Sequence, residues 1–149
     1  INCSSVLGFI SLPYRGLYSA TKYSIEALTD ALRRENYDSK IKFVLIQPGP
    51  INTDIKRKSI KHFEKWIDWK KSIHKRTYEH KIIKRLYDNN YKDSFNNFEL
   101  QPDEVTKILI KVLNSKKPKA RYKITFQTKI AQIMIKLLPT NILDWFFKI

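Results

Sequence analysis

The run Phe43-Val44-Leu45-Ile46, closed by Pro48-Gly49-Pro50, constrains this chain more than any other stretch. Four consecutive apolar residues leave no polar face for water. A strand built from them is buried on both sides, as in a parallel sheet covered by helices. The flanking pattern agrees. Residues 1–6 (INCSSV) read as the end of a strand, and Gly8, Pro13 and Gly16 punctuate a loop. From about Leu17 to Tyr37 the spacing predicts a helix. Its apolar face would gather Leu17, Ala20, Leu28, Ala31 and Leu32, with Glu26, Asp30, Arg33 and Glu35 on the polar side.

Residues 54–101 form a long, basic, aromatic-rich insert, read as two helices (about 59–70 and 74–88) followed by a loop through Asn89, Asn90, Asn96 and Asn97. Pro102 suits the first position of the next helix, and Asp103 and Glu104 suit the positive end of its dipole. Val105, Ile108, Leu109 and Val112 make its buried stripe. Residues 121–126 (RYKITF) alternate like a strand. Ile130, Ile133, Met134, Leu137 and Leu138 form another apolar stripe, Pro139 interrupts, and Asn141 to Phe147 make a short last helix. Strand, helix, strand, insert, helix, strand and helices in that order predict an α/β fold with a parallel sheet. Residues 1–149 are expected to be a single partial domain, with 54–101 as its variable insert and 127–149 as C-terminal helices. Three strands are few for such a sheet, and the first would leave an open edge. The chain also opens on Ile1 inside a strand rather than on Met, so we expect the N-terminal part to be missing.

Bulk properties exclude several classes. With 42% apolar residues the chain is too hydrophobic for disorder. The formal charge of +15 is spread as lysine through the whole length, beside abundant Ile and Asn. We read it as compositional drift and expect no nucleic-acid partner. One cysteine, Cys3, cannot close an internal disulfide. His62, His74 and His80 do not fall at spacings that would share a metal, so no metal site is expected. No signal peptide is visible, and no apolar run approaches the roughly 18 residues of a membrane span. A cytoplasmic location is the expectation.

The sharpest chemical signal is Tyr18-Ser19-Ala20-Thr21-Lys22, with Ser5 thirteen residues before the tyrosine. Tyrosine and lysine at i and i+4 share one helix face about a turn apart. A tyrosine hydroxyl normally ionises near pH 10, and an ammonium beside it favours the phenolate, which makes a usable general acid/base. Ser5, at a strand end, can reach the same point and hydrogen-bond a substrate oxygen.

Asn2-Cys3-Ser4-Ser5-Val6-x-Gly8, then Pro13, then Tyr18-Ser19-Ala20-Thr21-Lys22, then Glu26-Ala27-Leu28 and Leu32, closely resembles the active-site segment of the short-chain dehydrogenase/reductase family. The family pattern there is N-x-S-S-x-x-G followed by Y-[SC]-[AT]-[ST]-K. The resemblance implies that Ser5 orients the substrate carbonyl or hydroxyl. It makes Tyr18 the proton donor or acceptor, and Lys22 the group that favours its phenolate and hydrogen-bonds the nicotinamide ribose. Ser4 is the alternative serine, but the thirteen-residue spacing favours Ser5. A second segment, Val44-Leu45-Ile46-Gln47-Pro48-Gly49-Pro50-Ile51-Asn52-Thr53, is similar to the family's strand ending in P-G-x-[IV]-x-T. α/β sheets bind ligands at the C-terminal ends of their strands. Pro48 and Gly49 would turn the chain there, Ile51 would offer backbone groups to a carboxamide, and the Thr53 hydroxyl would add a hydrogen bond.

The implied fold is therefore a partial Rossmann-like, doubly wound parallel sheet. It would hold the last strands and helices only, with the N-terminal cofactor-binding half missing. The implied parent is an NAD- or NADP-dependent oxidoreductase moving hydride between nicotinamide and an alcohol or carbonyl substrate, as a homodimer or tetramer. The T-G-x-x-x-G-x-G loop that cradles the pyrophosphate is absent, since Gly8, Gly16 and Gly49 are the only glycines. The stretch by itself is expected to be inactive. The insert lies where the family places its substrate-binding helices. Its Phe63, Trp66, Trp69 and Tyr78 either line an apolar pocket or form the buried side of two helices. The alternative to an enzyme is a degenerate remnant acting, if at all, as a basic interaction or membrane-surface module. The stripe at 130–138 with Trp145-Phe146-Phe147 also has the pattern of an interfacial helix. Packing of that stripe on the sheet or on a neighbouring subunit is the favoured expectation.

Overall fold

The computed structural model describes residues 1–88 and 98–148. The expected loop through Asn89, Asn90, Asn96 and Asn97 lies outside the described residues. Two compact units make up the chain, one of residues 1–51 with 99–149 and one of residues 52–98.

In the first unit β1 (Asn2–Cys3), β2 (Leu45–Gln47) and β3 (Arg121–Lys123) form a parallel sheet in the order β1-β2-β3. Asn2 and Arg121 both stand opposite Leu45. The fold is thus α/β with a parallel sheet, as the apolar run demanded. β2 is the middle strand and is buried throughout, with Leu45 fully enclosed. It runs to Gln47 rather than ending at Ile46, because Gln47 still takes part in the ladder: Ile124 N–H donates to its carbonyl at 3.2 Å. β1 is shorter than residues 1–6. Ser5 stops it by capping a 3₁₀ turn over Val6–Gly8, its Oγ accepting from Leu7 N–H at 3.2 Å. β3 likewise stops short of residue 126, because Thr125 caps the next helix by accepting from Thr128 N–H at 3.3 Å.

Helix α1 (Gly16–Glu35) follows a turn in which Tyr14 adopts φ 63°. Its buried face is not the apolar one. Ser19, Glu26 and Thr29 are buried, whereas Leu17 is 90% and Leu28 61% exposed. Hydrogen bonding is the reason for Glu26 and Thr29. Thr29 Oγ1 accepts from Asn2 Nδ2 at 2.9 Å and donates to the Ile25 carbonyl at 2.7 Å. Glu26 is held by Gln47 and Arg121. Polar side chains satisfied this way can be enclosed at little cost.

Helix α5 (Pro102–Leu113) begins at its proline, with Asp103 and Glu104 in the first turn. Val112 is buried and Val105, Ile108 and Leu109 are half-buried, as the stripe predicted. Helix α6 (Phe126–Leu137) departs from expectation, burying Thr128 and Ala131. Ile130, Ile133 and Leu137 face solvent, while Met134 and Leu138 are half-buried. The exit of β2 explains the small side chain at Thr128. A Cβ on Gly49 would lie 2.1 Å from Thr125 Oγ1 and 2.8 Å from Thr128 Oγ1, so bare backbone meets the start of α6. The two hydroxyls bond each other at 2.9 Å. Helix α7 (Thr140–Phe147) ends the described chain.

The second unit contains α2 (Ile55–Trp66), which starts four residues before the expected 59. After a 3₁₀ turn at Trp69–Lys71 comes a helical run made of α3 (Lys75–Thr77), a π-helical stretch Tyr78–Ile83 and α4 (Lys84–Tyr87). Lys56 Nζ donates to the Asp88 carbonyl at 2.7 Å, and Tyr87 OH donates to Glu64 Oε1 at 2.7 Å. No residue of these helices is buried. Phe63, Trp66 and Trp69 instead line an open depression of about 600 Å³ that is not purely apolar, since Glu64, Lys65, Asp68 and Lys70 share its wall. Tyr78 is not in that lining; its ring lies 6.2 Å from that of Phe63.

Candidate active site

Chain geometry brings Ser5 and the Tyr18–Lys22 pair onto adjoining elements. Ser5 sits at the C-terminal end of β1, where the backbone of Ser4 and Val6 still bonds the β2 side: Ser4 N–H donates to the Ile46 carbonyl at 2.9 Å, and Val6 N–H to the Pro48 carbonyl at 2.8 Å. The 3₁₀ turn that Ser5 caps packs on α1. Close approach there requires Gly8, since a Cβ would come within 2.3 Å of Ser4 Oγ and 3.2 Å of the Lys22 carbonyl. Ser4 itself is 2% exposed and its hydroxyl faces that same carbonyl at 3.4 Å. Ser5 is buried too, at 8% exposure, and stands at the strand end where it caps the 3₁₀ turn.

On α1, Tyr18 and Lys22 share one face. Lys22 Nζ donates to the Cys3 carbonyl at 3.1 Å and lies 5.7 Å from the centre of the Tyr18 ring. The ammonium is thereby tied to β1 two residues from Ser5 while remaining beside the phenol. One of its three N–H groups is used on Cys3, which leaves donors for a further ligand. Tyr18 is partly exposed, so the phenol is reachable from solvent. Ser5 Oγ already accepts from Leu7 N–H, and this orients its own O–H to donate elsewhere.

Pro48 and Gly49 follow β2 directly, and Ile51 pairs with Leu100 in an isolated parallel bridge. Leu100 N–H donates to the Pro50 carbonyl at 3.2 Å. The strand exit is thus fixed on one side by Leu100 and on the other by α6. Thr53 belongs to the second unit and is exposed.

A polar cluster behind the helix was not legible as part of the site. Glu26, one turn beyond Lys22, accepts from Gln47 Nε2 at 2.9 Å and from Arg121 Nε at 3.1 Å. Arg121 Nη2 also donates to Asp30 Oδ1 at 2.7 Å, and Arg33 Nη1 reaches the same oxygen at 2.6 Å. Burial works against ionised Asp30, but the hydrogen bonds from Arg121 and Arg33 outweigh it and hold the carboxyl below its usual range. Burial also works against Arg121, yet its two carboxylates hold it more strongly protonated than usual. This cluster ties α1 to β2 and β3 and so sets where Tyr18 and Lys22 stand. The available signal was Gln47, a polar residue ending an apolar run. Gln47 Oε1 and Ser19 Oγ are buried without a hydrogen-bond partner among the described residues.

Fold and site define a class: an α/β protein whose parallel sheet carries a Tyr-x-x-x-Lys helix beside a strand-end serine. Comparison with known proteins narrows it. The short chain dehydrogenase family model matches residues 1–64. The uncharacterized oxidoreductase YbbO of Escherichia coli (strain K12) is 36% identical over 141 residues, covering 95% of this chain and 45% of that protein. The rat (Rattus norvegicus) 17-beta-hydroxysteroid dehydrogenase type 6 is 34% identical, over 97% of this chain and 45% of its own length. The NADPH-dependent 3-dehydrocapnine reductase of Ornithobacterium rhinotracheale is 32% identical, over 99% and 48% respectively. The chain belongs to the short-chain dehydrogenase/reductase family. It spans about half the length of the curated relatives it matches.

Proposed function

We propose that the whole protein is an NAD- or NADP-dependent oxidoreductase interconverting an alcohol and a carbonyl compound, with Tyr18, Lys22 and Ser5 as its reacting set. One observation carries the reading: a lysine ammonium anchored on the Cys3 carbonyl lies 5.7 Å from the Tyr18 ring centre, one helical turn away. Bound nicotinamide would supply or accept the hydride. In the reducing direction Tyr18 gives its phenolic proton to the substrate oxygen as the carbonyl carbon gains hydride, and in oxidation it takes that proton back. Lys22 stabilises the phenolate left behind. Ser5 donates its O–H to the same substrate oxygen and holds it against the tyrosine.

The donor set fits the nicotinamide–ribose end of a dinucleotide. Lys22 retains N–H groups suited to ribose hydroxyls, and the Pro48–Ile51 exit lies at the C-terminal end of a parallel strand, where such ligands bind. Thr53 would add a hydroxyl. No glycine-rich pyrophosphate cradle occurs in residues 1–149, so this stretch by itself is expected to be inactive. The relative named as NADPH-dependent supports NADP as one of the two cofactors. The partners we infer are a small-molecule alcohol or carbonyl and, for the whole protein, a second or further copies of itself.

Tyr18→Phe tests the assignment in the full-length protein. Loss of one general acid/base is expected to lower turnover by about 10²–10⁴-fold, with nicotinamide binding by fluorescence titration nearly unchanged. A loss below about tenfold would remove the phenol from proton transfer.

A further inference from the structure

The C-terminal helices α6 and α7 turn apolar side chains outward. Phe126, Ile130, Ile133 and Leu137 recur at intervals of four, three and four residues, which places them on one stripe of α6. All four are exposed, Leu137 by 75%. The buried residues of this helix, Thr128 and Ala131, lie on another face. α7 continues the pattern: Ile142, Trp145 and Phe146 are exposed, and the Trp145 and Phe146 rings meet edge to face at 5.1 Å. Seven large apolar side chains on two consecutive helices exceed the scattered singles normal on a protein surface.

Charge identifies what would cover them. From Phe126 to Lys148 the sequence carries Lys129, Lys136 and Lys148 against a single acid, Asp144. Lys129 and Lys136 lie one heptad apart beside the apolar stripe, and both are exposed, as is Lys148 at the far end of α7. Lys123 stands close enough to feel them: burial first, then the charges of Lys136, Arg121 and Lys129, press its ammonium below the usual lysine range. A basic, lysine-flanked surface with Trp, Phe and Leu at its centre matches the headgroup–acyl boundary of an anionic bilayer. Among the described residues no helix is long and apolar enough to cross a membrane. The fitting geometry is therefore one of lying on the surface.

We propose that α6 and α7 form a peripheral docking face for anionic lipid membranes. Ile133, Leu137 and Trp145 insert among the headgroups, while Lys129 and Lys136 meet lipid phosphates. This rests on the exposed face alone and is independent of the chemistry assigned to Tyr18.

Co-sedimentation of the full-length protein with phosphatidylcholine vesicles, with and without 30 mol% phosphatidylglycerol (about physiological salt, where surface attraction still acts), tests it. The expected result is binding to the anionic vesicles and little to the neutral ones. Lys129→Gln/Lys136→Gln should weaken binding by about thirtyfold, taking the per-residue attraction to an anionic surface. Ile133→Ser/Leu137→Ser should weaken it by about tenfold or more through lost apolar insertion. Circular dichroism of both variants should match the parent, since the substituted residues are exposed. Failure of the parent to sediment with anionic vesicles overturns the proposal. So does equal binding by parent and both variants. Self-association that Ile133→Ser/Leu137→Ser abolishes, without vesicle binding, would assign the face to a second copy of the chain instead.

Discussion

Replacing Arg121 by methionine should expose how strongly the sheet holds α1. The guanidinium is 29% exposed and bonds Glu26 Oε2 at 3.1 Å and Asp30 Oδ1 at 2.7 Å. Removing one partner of a buried ion pair costs about 3–5 kcal/mol, because a charge is left uncompensated. Here the loss is smaller. Glu26 keeps Gln47 Nε2 at 2.9 Å and Asp30 keeps Arg33 Nη1 at 2.6 Å. We expect about 2–3 kcal/mol, at or below the lower end of that range. With a urea slope typical of small proteins, the unfolding midpoint should fall by about 1–2 M. Glu26→Gln in the Arg121→Met background should restore part of the loss, since a neutral amide needs no counter-charge. Acid titration gives a second reading. Asp30 ionises more readily folded than unfolded, so its contribution is present above its unfolded pKa, near 4, and disappears as pH falls through the lower folded value. In Arg121→Met that acid-side loss should shrink. A destabilisation under about 0.5 kcal/mol, within the usual range for surface changes, together with an unchanged acid profile, would refute the reasoning.

Two further substitutions probe the packing. Gly49→Ala places a methyl 2.1 Å from Thr125 Oγ1 and should cost about 1–3 kcal/mol in urea unfolding; adding Thr125→Ala removes the clashing oxygen and should recover part of it. On α1, Leu28→Ala should change stability by less than about 0.5 kcal/mol. The neighbouring Thr29→Val strips the partner of Asn2 Nδ2 and should cost about 1–2 kcal/mol.

The middle strand, the proline-led start of α5 and the Tyr18–Lys22 face were legible because each rests on local chemistry: an unbroken apolar run, a missing N–H, a four-residue spacing. What escaped was the choice of inward face. Helical periodicity groups side chains by angle, and the apolar group was assumed to point inward. On α1 the inward group is Ser19, Glu26 and Thr29; strands β1 to β3 supply donors that match Glu26 and Thr29. On α6 the inward positions are Thr128 and Ala131, and at Thr128 the bare backbone of Gly49 comes too close for a larger group. Partners from residues far along the chain decided both cases, and no local window contains them. The Glu26–Gln47–Arg121 cluster escaped for the same reason.

The sheet's ladder joins Asn2 to Leu45 and Leu45 to Arg121. A strand as apolar as β2 leaves the ribosome well before its second neighbour is made. Until β3 emerges, one side of it stays open to other chains. Assembly is then governed by slow, distant closures rather than by hairpins. For a polypeptide arranged this way, yield in the cell should depend on chaperone supply and growth temperature more than on the final stability of the native state.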